Sequence, residues 1–136
     1  MKTINHECYV SLEVAKLLKE AGFDWEEHYP RNFCYVNDNT ELFDKSVLKN
    51  YIEEDDVIYL APTLDIAQRW LREVKDIDVY IFPTTNNKRG CVYEWGIKTF
   101  GRALWVEGQP YTNQYETYEE AQEAGIKKAL EIILQK

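Results

Sequence analysis

Cationic side chains are scarce in this chain: sixteen Lys and Arg stand against twenty-four Asp and Glu, for a formal net charge of −8. The deficit belongs to the first half, with six basic against thirteen acidic residues up to Pro62 and ten against eleven after it. A protein of this charge is repelled by phosphate backbones and anionic lipid surfaces. Nucleic acid and membrane are therefore poor expectations as partners, and a protein, a second copy of the chain or a small molecule is a better one. Cysteine is sparse and odd in number: Cys8, Cys34 and Cys91 include no CxxC pair, which excludes a disulfide framework and leaves three thiols expected to be buried. No stretch supplies the roughly 20 apolar residues of a membrane span. The opening MKTINHECYV lacks the apolar run of a secretion signal, so the expected location is the cytoplasm.

Chemical signatures are missing as well. There is no GxxxxGK[ST] or GxGxxG phosphate loop, no GxSxG elbow, no HExxH helix and no Asp-x-Asp-x-Asp-Gly calcium loop. His6, Cys8, His28 and Cys34 make up the inventory of a zinc site, but only His6 and Cys8 are close, and structural zinc ligands come in pairs two to four residues apart. Glu26 and Glu27, and the run Glu53 to Asp56, read as solvated acidic loops, and Cys91 at a strand start reads as a packing thiol. No catalytic residue, cofactor or metal is expected.

What the chain does have is amphipathic periodicity and aromatic mass, with ten Tyr, four Trp and five Phe. APTLDIAQRWLREVKDI, residues 61–77, opens with Pro62, the oxygen of Thr63 and the first-turn charge of Asp65. Ile66, Ala67, Trp70, Leu71 and Val74 then fall on one stripe. Ser11 opens an earlier helix with Val14, Leu17, Leu18 and Ala21 inward, and Gly22 is its left-handed stop. Thr117 and Glu120 form a capping box for a last helix, whose expected stripe is Tyr118, Ala121, Gly125, Ala129, Ile132 and Ile133. Gly125 on that stripe predicts close approach to a sheet.

Strands are expected at Phe33 to Val36 and Val57 to Leu60, with a short helix near Asp44 between them. Asp78 to Phe82 reads as a strand buried on both faces; Cys91 to Lys98 and Arg102 to Val106 read as its antiparallel successors across the turn TTNNKRG. The expected fold is α+β: an antiparallel sheet of three or more strands carrying helices from Ser11, Thr63 and Thr117, in the order α-β-β-β-α over the second half, all within one domain of residues 1–136. The aromatic surplus of the last third, together with the loop cations, nominates Lys88, Arg89, Trp95, Trp105 and Tyr111 as interaction residues.

Three segments, SLEVAKLLKEAGF, APTLDIAQRWLREV and TYEEAQEAGIKKALEII, make the chain resemble a family of small uncharacterised proteins encoded by gut-dwelling bacteria and their phages and prophages. The resemblance implies a phage-linked accessory role and carries no catalytic residues. TYEEAQEAGIKKAL is also similar to the last helix of double-stranded-RNA-binding domains. That likeness implies groove contacts by the Lys88 and Arg89 loop, yet Tyr118, Glu119 and Glu120 stand where those domains place lysines. The reading the sequence favours is a non-catalytic protein-binding or self-associating factor, with degenerate RNA binding as its rival.

Overall fold

In a computed structural model of the protein, residues 8–28, 32–99, 105–107 and 114–135 are described; for 27, 28 and 105–107 the description covers the backbone alone. The chain divides into two compact units, Met1–Thr63 and Leu64–Lys136. The class is α+β with antiparallel sheets.

In the first unit, α1 spans Leu12–Ala21. The Ser11 hydroxyl accepts from the Val14 amide at 3.3 Å, satisfying one orphan donor of the first turn. At the other end Gly22 sits at φ 92°, and the amides of Gly22 and Phe23 donate to the carbonyls of Lys19 and Leu18. Only a residue without Cβ takes that left-handed turn at no steric cost. After a 3-10 turn, Trp25–His28, come β1 (Phe33–Val36), β2 (Phe43–Asp44), the one-turn α2 (Lys45–Leu48) capped by Asp44, and β3 (Ile58–Leu60). These strands form a sheet of their own, in the order β2-β1-β3, which is the addition to the single sheet expected. Its core gathers Val14, Ala15 and Leu18 of α1 with Cys34, Tyr35, Leu42 and Ala61. The buried Tyr35 hydroxyl donates to the Val10 carbonyl at 2.6 Å, giving the ring's polar end a partner.

The second unit runs α3 (Leu64–Val74), β4 (Ile77–Asn86), β5 (Gly90–Thr99), β6 (Trp105–Glu107) and α4 (Tyr118–Leu134). The expected order α-β-β-β-α is found, and the sheet order is β4-β5-β6. The third strand starts at Trp105; its expected first residues, 102–104, lie outside the described residues. Helix α3 reaches the last residue of its stripe, Val74, and ends before the close of the stretch 61–77 read as helix. Asp76 takes a left-handed φ of 56°, which breaks the helical run and releases Ile77 to the strand; Val74 is left 46% exposed. Leu64, Ala67, Trp70 and Leu71 are the residues α3 buries.

Three further expectations are corrected. β4 is not covered on both faces: it is an outer strand, and beyond Val79 its side chains are only half-buried or exposed. Cys8 and Cys91 are exposed, and only Cys34 is buried. Cys91 has the alternation of an inward residue, but it lies beside the hairpin turn opposite the exposed Thr85, beyond the packed part of the face. The α4 stripe is rotated: Ala121, Gln122, Gly125, Ile126, Ala129 and Leu130 are buried, whereas Tyr118 is 41% exposed. A polar residue, Gln122, takes an inward place that an apolar pattern assigns to others.

Gly125 does provide the close approach. A Cβ there would lie 2.7 Å from Val79 Cγ1 and 3.0 Å from Trp95 Cβ. Alanine favours a helix interior by about 1 kcal/mol over glycine, but overpacking against a branched buried neighbour costs about 1 to 3 kcal/mol. Gly125→Ala is therefore expected to lower the urea midpoint, with a net loss of about 1 kcal/mol and an unchanged denaturant slope. An equal or higher midpoint contradicts this packing.

Candidate interaction surface

The hairpin turn between β4 and β5 is built by Asn86. Its side-chain oxygen accepts from the amides of Lys88 at 2.8 Å and Arg89 at 3.1 Å, and Gly90 closes the turn at φ 80°. The Asn86 amide nitrogen donates to Gln114 Oε1 at 2.7 Å. Arg89 donates to the Gln114 carbonyl at 3.4 Å and pairs with Glu116 at 3.6 Å. Of the five nominated residues, then, Lys88 and Arg89 share an exposed hairpin tip, with Arg89 engaged by the chain's own acid. Trp95 is only 8% exposed and lies where α4 crosses at Gly125, so it serves the core. The Trp105 side chain and Tyr111 lie outside the described residues.

A feature that sequence reasoning missed lies along β4. Tyr93 donates its amide to the Tyr115 carbonyl at 2.8 Å and accepts from the Tyr115 amide at 2.9 Å. Both main-chain groups of Tyr93 therefore point away from β4, and its partner Pro83 makes no ladder bond to β5. By alternation, Ile77, Val79, Ile81, Pro83 and Thr85 all turn their main-chain groups off the sheet. Gln68 of α3 donates to the Val79 carbonyl, and Gln68 also accepts at 2.8 Å from Gln122, which donates to Asp65 at 2.7 Å as well. This polar chain explains the buried glutamine of α4. Pro83 has no N–H to offer. Ile77 and Val79, at the α3 end, are buried; among the described residues, what is left along the edge is both main-chain groups of Ile81, the Pro83 carbonyl and the groups of Thr85. Asp78 is the only charged side chain in the ten residues. The signal for this edge was Pro83 itself, since proline inside a strand pattern demotes the strand to an outer position.

Two of the hollows in the first unit are lined in common by the Lys45–Glu26 ion pair. One, of about 220 Å³, has Leu18, Phe23, Ile58 and Leu60 as its floor; the other, of about 620 Å³, is bordered by Asn32, Asp44, Ser46, Lys49 and Ile52. Their polar groups are largely committed to each other: Lys45 to Glu26, Lys19 to the Ile58 carbonyl at 3.0 Å, and Asp44 to Ser46. Convergent unpaired groups aimed at a ligand, the usual mark of a small-molecule site, are not what these walls present. Among the described residues no group of three or more His, Cys, Asp or Glu could hold a metal ion. The His6 of the nominal zinc inventory lies outside the described residues. No helix among the described residues is long and apolar enough to cross a membrane.

The thiol of Cys34 is pushed up to about 11 by burial, so it stays protonated and poorly nucleophilic at neutral pH. Iodoacetamide at neutral pH is expected to label Cys8 and Cys91 in the native protein, and Cys34 only once denaturant is added. With its folded value above its unfolded one, Cys34 contributes stability that is intact below about pH 9 and is lost as pH rises toward 11. Native labelling of Cys34 by mass spectrometry would contradict its burial.

The chain matches no protein-family model, and no curated protein or solved structure is significantly similar to it.

Proposed function

We propose that this protein is a non-catalytic, self-associating accessory factor of the cytoplasm, of the phage-linked kind that its three helix motifs resemble, acting through protein contact rather than chemistry. The observation that carries the reading is the outer edge of β4. Natural sheets blunt such edges with lysines, bulges or covering segments, because unpaired amides and carbonyls template the addition of another strand. Here the α3 end of the strand, Ile77 and Val79, is buried with Gln68 on the Val79 carbonyl, but among the described residues the stretch from Ile81 to Thr85 is guarded by one proline alone, and no lysine stands in the strand. Strand addition supplies affinity from main-chain hydrogen bonds, and the flanking side chains supply selectivity.

Light scattering over a wide range of concentration is the test. The mean mass is expected to rise from that of a 16.1 kDa monomer toward twice that value. A strict monomer throughout overturns the reading.

The nucleic-acid rival needs the hairpin tip to meet phosphate. A phosphate would have to displace Glu116 from Arg89 and approach the first turn of α4, which carries Glu119 and Glu120. An exposed ion pair is worth at most about 1 kcal/mol, so the displacement alone is cheap; the surrounding negative field is the larger obstacle. A gel-shift titration with double-stranded RNA at moderate salt is expected to show no complex. A shift abolished by Lys88→Glu with Arg89→Glu would favour the rival instead.

A further inference from the structure

We infer that the first unit carries a docking surface for a cationic amphipathic segment of a second protein, formed by the exposed apolar side chains of residues 47–57 and the acid-rimmed groove beside them. The inference goes beyond the self-association proposed above and uses no part of β4. Large apolar side chains standing in water are few: among the described residues they are Val47, Tyr51, Val57, Val74 and Tyr118. Three of these five fall within the short stretch 47–57, with Val47 63% and Tyr51 77% exposed. Such a concentration marks an interaction surface, whereas apolar residues exposed singly need no explanation.

Local structure accounts for the exposure. α2 lasts a single turn and buries none of its residues, and the Tyr51 amide donates to the Leu48 carbonyl at 2.8 Å in one further turn, so no helix here is long enough to carry an inward stripe. Leu48 lines a groove of about 480 Å³ whose floor it shares with Val36 and Phe43, all three half-buried. Asp38 and Asp56 stand at its rim.

Charge decides what this surface takes. Residues 47–57 hold one cation, Lys49, against Glu53, Glu54, Asp55 and Asp56. Asn37 donates to one oxygen of Asp56 at 2.9 Å and the Glu53 amide to the other at 2.8 Å, and these bonds hold its carboxyl below the usual carboxylate range. That carboxylate is fixed in place and stays charged. Asp38 pairs with Lys16 and remains largely exposed. Apolar side chains in a negative field suit a segment with leucine or isoleucine along one face and lysine or arginine beside it, and they repel an acidic one. Twofold pairing of two copies here would set the acid of each patch against its like. The cation-flanked Val74 of another copy is one side chain where the patch offers three, and its neighbour Lys75 is drawn over the Trp70 ring.

The test titrates the full chain into a labelled peptide of leucine and lysine at helical spacing, about 14 residues or four turns long, with a leucine and glutamate peptide of the same pattern as control. Fluorescence anisotropy is expected to show binding of the lysine peptide alone, weakening severalfold as ionic strength rises from about 0.05 to 0.5 M. Val47→Ser with Tyr51→Ser, and separately Glu54→Lys with Asp55→Lys, are each expected to weaken it by about tenfold with far-UV circular dichroism unchanged. Glu119→Lys with Glu131→Lys alters net charge equally on α4 and is expected to have little effect. Hydrogen exchange on the natural chain, slowed over residues 47–57 by the lysine peptide, locates the contact even if a variant fails to fold. No binding, equal binding of the glutamate peptide, or an equal loss from the α4 pair overturns the proposal. So does protection of residues 47–57 in the concentrated chain alone, which would give the surface to a second copy.

Discussion

Tyr93 commits both main-chain groups to Tyr115, and the character of the sheet follows from that exchange. It fixes the phase of β5, hence that of β4, hence which five residues of β4 look outward. Had the phase been the other one, Pro83 would have faced β5 and cost a ladder bond, and the Val79 carbonyl would have been out of reach of Gln68. The proline, the glutamine and the alternation are consistent only in the arrangement observed. α4 adds a second constraint through Gly125, where the absence of a side chain lets the helix backbone approach Val79 and Trp95. Position and phase of the second unit are thus set by a glycine and a tyrosine pair rather than by the amount of apolar surface.

The polar chain from Asp65 through Gln122 and Gln68 to the Val79 carbonyl does two things at once. It satisfies an amide that α4 buries, and it ties α3, α4 and β4 together with directional contacts where apolar packing would permit sliding. Buried polar groups are costly when half-satisfied and specifying when paired. The same chain holds the outward carbonyl of the buried Val79, so the contacts that order the unit internally also close the α3 end of the β4 edge.

Much of the architecture was legible because its signals are local. Caps at Ser11 and Thr117, the stop at Gly22 and the turn before Gly90 are each decided within a few residues, and each is found in place. Readings that required distant partners went astray. Nothing near Gln122 indicates that Asp65 and Gln68 will receive it, so an apolar stripe placed Tyr118 inward instead. Cys91 alternates correctly for the covered face, yet coverage ends before it, and alternation carries no information about where a helix stops overlapping a hairpin. The second sheet escaped notice because β2 is two residues long and α2 four, too short for any period to emerge. The candidate site was half visible: Pro83 marked an outer strand, but its phase depended on Tyr115, more than twenty residues away in sequence.

The β4–β5 hairpin also bears on how the second unit assembles. Its register runs without a break from Asn86 opposite Gly90 to Ile77 opposite Thr99, so every rung is reached from the turn by closing one further pair, with no long loop to close. The seat for α4, formed by Val79 and Trp95, lies on residues brought together by that zipper. A ribosome emitting this chain therefore delivers a finished platform before it delivers the helix that covers it.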